Sequence, residues 1–445
     1  MRQRVRSIAL AVIVVIYFAI ATLYALWTPK WQAPDEPAHL NYIRHIAETG
    51  TLPVLQPGDY DQAYLEKIKA AKFPATMPID SIRYESYQPP LYYLAATPVY
   101  WLVRGASMDA IVLALRLFSI VLGALVLLVA FNVIHTLFPD DHVLALATVG
   151  LMATVPQHLA VSASISNDLA AELVLVLILW LAVKRIQRTL SDSQSVWLGG
   201  ILFGAALLTK TTVYLPGAAI LIGAQIASAK LDSPRFALRS VRLTFYSFVL
   251  ALCLASPMFI RGALTYGLTD PLGIARHDAV VIGQPTTAEM MAQVGFKRIA
   301  FDFLAVTFKS FWAQFGWMGV LVNDRIYVAL AILCAIALLG LVFYSLRLVR
   351  QRDLLTSLQW AGIALLGALL LTAIADYLAY NFKFLQFQGR YLFVSLIAIA
   401  FGLVLGLREL VAREYVGIVL TLLYVAMLIL DLVCLFGFIV PQLRI

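Results

Sequence analysis

Eleven apolar runs punctuate this chain, at residues 8–27, 111–135, 142–160, 168–185, 195–209, 212–229, 240–260, 326–347, 355–378, 391–407 and 415–437. Each is close to the ~20 residues an α-helix needs to cross a ~30 Å hydrocarbon layer. Inside a bilayer the backbone must satisfy its own polar groups, so runs of this kind can only be helices. The expected fold is therefore an all-α polytopic membrane protein of about eleven transmembrane helices, forming a single integral-membrane domain over residues 1–445. Only 13% of the residues are charged, against roughly 25% in a soluble domain. The formal net charge of +8 is not a nucleic-acid signal, because the basic residues sit in short clusters between apolar runs. The three cysteines, Cys253, Cys334 and Cys434, lie inside such runs and imply neither a disulfide framework nor a zinc cluster.

Those basic clusters set the orientation. Arg2, Arg4 and Arg6 precede a first run that is longer than a signal-peptide core and lacks a small-residue cleavage site, which reads as a retained signal anchor. The segment Gln88–Val103 is too short to span comfortably and is interrupted by Pro98. If it does not cross, the clusters around Lys184, Lys230–Arg242, Arg347–Arg352 and Arg408–Arg413 all share the side of the N-terminus, as the positive-inside rule demands. The N-terminus is then cytoplasmic, the C-terminus external, and two long regions, 28–110 and 261–325, are external. The first is expected to carry helices from about Glu36 to Glu48 and Tyr60 to Lys72. In the second, the aromatic stretch Phe308–Gly319 suits a helix lying at headgroup level.

Chemistry-bearing residues collect on that external side. Asp35 and Glu36 are followed by His39, four residues after Asp35. One carboxylate would suffice to cap a helix, whereas Asp35 and His39 on one helical face could share a proton or a divalent metal ion. Asp168 opens a membrane helix, either as a cap or as a site residue, with Glu172 one turn deeper and His158 across the preceding turn. Lys210 occupies a short external turn, and Arg390 stands at the mouth of another helix beside Gly389 and Tyr391. Each cation could be an interfacial anchor or a phosphate ligand. Trp31, Tyr92, Tyr93, Trp312 and Trp317 are candidate lining residues. Carboxylates together with cations suit a transfer reaction from an amphiphilic phosphate donor. A carboxylate deprotonates the acceptor hydroxyl and the cations hold the leaving phosphate.

The segments APDEPAHLNYIRHI (33–46), YQPPLYYLAATPVYWL (87–102), VPQHLAVSASISNDLAAELV (155–174), LLTKTTVYLPG (207–217), FWAQFGWMG (311–319) and QGRYLFVSL (388–396) together resemble the GT-C glycosyltransferases. These integral-membrane enzymes use polyprenyl-phosphate sugars and include protein O-mannosyltransferases and the lipid A aminoarabinose transferase. The similarity is greatest to a bacterial membrane-protein branch related to them, which implies a bacterial-type inner or plasma membrane. It also implies that the Asp of the Asp-Glu pair, Asp35, is the catalytic base, with Glu36 and His39 shaping it or a divalent metal ion. Asp168 would be the second acidic residue; on the reading of the residues themselves it supports or binds the acceptor, Lys210 and Arg390 hold the phosphate, and His39, Gln88 and Tyr391 complete the substrate-binding set. Gln88 stands where the aminoarabinose enzymes carry a lysine before the Pro-Pro pair, which leaves the acceptor open between a lipid and a cell-envelope glycan. The implied partners are a polyprenyl-phosphate-linked sugar, that acceptor and membrane lipids. A transporter or flippase of a lipid-linked sugar is the rival reading. The chain shows no internal repeat and its charges gather at one face, both of which favour the enzyme.

Overall fold

A computed structural model of the protein describes residues 2–230 and 235–444. Part of the basic cluster Lys230–Arg242 therefore lies outside the described residues. The described chain is built almost wholly of α-helices. In chain order they are α1 (Arg2–Trp27), α2 (Glu36–Thr49), α3 (Gln62–Ala70), α4 (Leu91–Val103), α5 (Met108–Leu137), α6 (His142–Ala153), α7 (Pro156–Ser162), α8 (Asp168–Ile186), α9 (Asp192–Leu207), α10 (Tyr214–Lys230), α11 (Arg235–Tyr266), α12 (Ile274–Val280), α13 (Thr287–Val294), α14 (Phe296–Trp312), α15 (Asp324–Arg350), α16 (Ser357–Lys383), α17 (Leu396–Glu409), α18 (Val416–Val433) and α19 (Val440–Leu443). One short antiparallel pair, β1 (Gln314–Phe315) with β2 (Val320–Leu321), interrupts them.

Among the described residues, eight helices are long and apolar enough to cross a membrane. The other three apolar runs differ for identifiable reasons. Residues 142–160 fold as α6 and α7, bent by 67° at a break, where Pro156 begins the second helix. α8 carries Asp168, Glu172, Lys184 and Arg185, and α9 is only 16 residues long.

α1 and α5 run antiparallel. At one end Arg6 lies 2.6 Å from His135; at the other, Arg116 of α5 donates to the carbonyls of Ala25 and Thr28. Residues 28–107 thus leave and return at the same end of the bundle, and the 13-residue α4, about 20 Å long, does not carry the chain across. The basic clusters gather at the opposite end, where Arg347 pairs with Glu409 at 2.6 Å, Arg185 with Asp192 at 3.1 Å and Arg408 with Asp141.

α2 and α3 fall where the sequence places them, and α2 stops at Gly50, whose φ of 68° is left-handed. The aromatic stretch Phe308–Gly319 is not one interfacial helix. α14 ends at Trp312, which is buried, and the chain then forms the β1–β2 hairpin, whose turn runs through Gly316, Trp317 and Met318, all at positive φ. Two glycines in four residues make that turn cheaper than continuing the helix.

Candidate active site

The first loop is held in place by a residue outside it. Arg116 sits inside the apolar run of α5, where an unpaired guanidinium would be costly. It grips Glu36 through both oxygens at 2.7 and 2.8 Å and also donates to the carbonyls of Ala25, Thr28 and Pro29. Ala25 lies in the last turn of α1, where carbonyls have no partner within the helix. Glu36 further accepts from the backbone N–H groups of Trp31 and Ile165. Glu36 is 0% and Arg116 2% exposed. The Glu36 carboxylate therefore faces α5 and ties three segments together, and it does not reach the cavity expected of a catalytic group.

Turning Glu36 inward leaves Asp35 facing the other way. Its backbone is left-handed, φ 68°, and its side chain caps no helix N–H. Instead it lines a cavity of about 590 Å³ at this end of the bundle. Its two oxygens accept from Arg390 at 2.6 Å and from the Tyr84 hydroxyl at 2.8 Å. A non-glycine residue held in this region costs of order 1 kcal/mol and marks a site over-determined by its surroundings. Burial is the largest influence and works against the Asp35 charge, but the Arg390 guanidinium, His39 and the Tyr84 hydroxyl together outweigh it and hold the carboxyl below its usual range.

Asp168 does not cap α8 through its side chain either: it accepts from Ser166 at 2.9 Å and is paired with Lys210. Both ion pairs border the same cavity, with His39, Gln88 and Tyr391. Arg390 is placed by its neighbour. A Cβ on Gly389 would lie 2.3 Å from the Thr307 carbonyl and 2.5 Å from the Phe311 nitrogen, so only glycine lets this segment lie against α14. His39 meets the Tyr93 hydroxyl through Nδ1 at 2.9 Å, and burial pushes its pKa down to about 4, so the ring is neutral at pH 7. Of the aromatics expected to line the site only Trp317 does; Trp31, Tyr92, Tyr93 and Trp312 are packed into the interior.

Sequence reading missed Arg116, Tyr84 and Glu85. A lone arginine within an apolar run was a usable signal for the first; nothing in YESYQPP distinguishes the other two. Glu85 lines the cavity, and burial, then the Asp35 charge, push its pKa up to about 7 against Lys210 and Arg390. His158 and Glu172 pair with each other at 2.9 Å, buried beneath the cavity floor rather than in it.

A divalent ion fits these residues poorly. Both Asp35 oxygens are engaged, His39 Nδ1 faces Tyr93, and each acidic residue of the two pairs already has its own cation. Among the described residues no group of three or more His, Cys, Asp and Glu side chains is arranged to hold a metal.

Residues 88–260 match the family described as dolichyl-phosphate-mannose-protein mannosyltransferase. The whole fold is similar to that of ArnT from Cupriavidus metallidurans bound to undecaprenyl phosphate, at 13% identity and a TM-score of 0.51, over 98% of this chain and 73% of that one. It is also similar to the Archaeoglobus fulgidus oligosaccharyltransferase tethered to an acceptor peptide, at 12% identity and a TM-score of 0.51, over 98% of this chain and 54% of that one. No functionally curated protein matches the sequence. The chain therefore has the fold seen in ArnT and in the oligosaccharyltransferase, and its residues 88–260 match the mannosyltransferase family.

Proposed function

We propose that the protein transfers a sugar from a polyprenyl-phosphate donor to a hydroxyl of a lipid or cell-envelope glycan, at the external face of the membrane. The observation that carries this reading is the sharing of one cavity by Asp35, Arg390, Asp168 and Lys210, which come from four separate parts of the chain. The undecaprenyl phosphate on ArnT supports the donor class. The gathering of basic clusters at the opposite end supports the orientation, with the cavity outside, the N-terminus inside and eleven crossings in all.

In this reading the donor's phosphate exchanges its solvent for Lys210 and Arg390. The acceptor oxygen attacks the anomeric carbon while its proton passes to Asp35. The bond from that carbon to the phosphate oxygen breaks, and the electron pair leaves on polyprenyl phosphate. Attack opposite the leaving group inverts the anomeric centre. Arg390 counters charge first on Asp35 and then on the leaving group, so donor binding and release of the base are coupled. Asp168 positions Lys210 and borders the acceptor.

The test compares envelope glycolipids with and without the protein by mass spectrometry. A product lost by one sugar unit on deletion, and restored by wild-type protein, is expected. Identical glycolipid profiles, with purified protein moving intact donor across vesicles, would favour a flippase instead.

A further inference from the structure

A second concavity lies in the half of the bundle away from the active-site cavity. α15 and α16 follow one another but splay apart, and α17 forms the floor between them. The groove encloses about 560 Å³ and is walled by apolar and aromatic side chains, among them Leu341, Tyr344, Trp360, Leu370 and Phe401. At its mouth stands Arg352, in the linker between α15 and α16.

Length and charge together select the occupant. From Leu341 to Arg352 the wall rises eleven residues, about 16 Å at 1.5 Å per residue. From Leu370 to Trp360 it rises ten, about 15 Å. Half of a ~30 Å hydrocarbon core is ~15 Å, so the groove is one leaflet deep and ends near the midplane. Arg347 is committed to Glu409 at 2.6 Å. The exposed Arg352 guanidinium has no hydrogen-bond or ion-pair partner among the described residues. The end of α15 and the linker carry Arg350 and Arg352 against the single acidic Asp353, leaving this end cationic at headgroup level, where basic residues attract anionic lipid.

We propose that this groove binds an anionic diacyl phospholipid of the leaflet opposite the active site, one acyl chain lying between α15 and α16 and the phosphate meeting Arg352. The site is distinct from the donor cavity at the other end of the bundle. A polyprenyl chain, far longer than one leaflet is deep, is a poorer fit to a groove that closes at the midplane.

The groove contains its own reporter and its own plug. Trp360 lines it, and so does Gly367, where an added Cβ meets no atom within 4 Å, so Gly367→Leu starts a side chain in open space at the groove wall. The full chain is reconstituted in vesicles containing brominated phosphatidylglycerol or brominated phosphatidylcholine at equal bromine content. The Trp360 signal is taken as the difference from Trp360→Phe. Quenching by the brominated phosphatidylglycerol is expected to exceed that by phosphatidylcholine at least twofold. Arg352→Gln, a change in an exposed linker, should abolish the preference, and Gly367→Leu should remove the excess quenching. Equal quenching by both lipids, or an unchanged preference in Arg352→Gln, would overturn the proposal. Displacement of the brominated phosphatidylglycerol by equimolar polyprenyl phosphate would overturn it too, reassigning the groove to the carrier lipid.

Discussion

Arg390 and Asp35 lie 355 residues apart in sequence, and the guanidinium of one meets the carboxylate of the other at 2.6 Å across the mouth of the cavity. The pair joins the short helical segment ahead of α17 to the turn that starts α2. It holds the candidate base ionised while no donor is present.

Loss of Arg390 should therefore act on the donor more than on the fold. Arg390→Ala and Lys210→Ala are each expected to weaken binding of a polyprenyl-phosphate analogue by tenfold or more, with detergent-extracted protein still monodisperse. Arg390→Lys should recover only part of that loss, because a point charge replaces a planar fork. Titration of the analogue by intrinsic fluorescence checks this, and wild-type affinity in both alanine variants would refute the phosphate assignment.

Glu36 is expected to behave differently from its neighbour. Glu36→Gln leaves Arg116 buried without a counter-charge, and breaking such a pair costs about 3–5 kcal/mol. Thermal unfolding in detergent should show a marked drop in midpoint for Glu36→Gln and for Arg116→Leu alone. In the double variant Glu36→Gln/Arg116→Leu no charge remains buried, so part of the loss should return. A wild-type midpoint in both single variants would show that the pair does not secure the first loop.

Glu85 gives the cavity a pH dependence. With its pKa raised to about 7, it is largely protonated at pH 6 and largely ionised at pH 8. Ionisation adds negative charge beside Lys210 and Arg390, the proposed phosphate ligands, so donor affinity should fall as pH rises through 7. The same sign applies to stability. The unfolded chain ionises Glu85 near the ordinary 4.5 while the fold still holds the proton, so this contribution to stability diminishes as pH climbs from that value to about 7. In Glu85→Gln the donor-binding profile should be flat between pH 6 and 8; a slope equal to wild type would place the titrating group elsewhere.

Much of this architecture was legible in the sequence because hydrophobicity dominates it. The helix positions follow from run length, and the non-crossing of α4 follows from the basic clusters. Asp35, Asp168, Lys210 and Arg390 could be picked out because a charge beside an apolar run is conspicuous. The division of labour between adjacent carboxylates could not be read. Asp35 and Glu36 differ in role because the left-handed backbone at Asp35 sends their side chains to opposite sides, and a sequence does not print φ. Glu85 stayed hidden for a related reason: its character comes from burial beside Asp35, which only the folded first loop creates. The hairpin after Trp312 was missed because its aromatics imitate an interfacial helix, while the deciding signal was the pair Gly316 and Gly319.

The assignment of Asp35 as base is tested most directly by Asp35→Asn. The substitution preserves the shape of the side chain and can still meet Tyr84, yet it cannot take up a proton. Initial rates of sugar transfer are measured with saturating polyprenyl-phosphate donor, alongside donor binding and the same measurements on Asp168→Asn. The account predicts normal expression, retained donor binding and a turnover at least ~100-fold below wild type for Asp35→Asn, with a smaller loss for Asp168→Asn. Transfer by Asp35→Asn at the wild-type rate would contradict it.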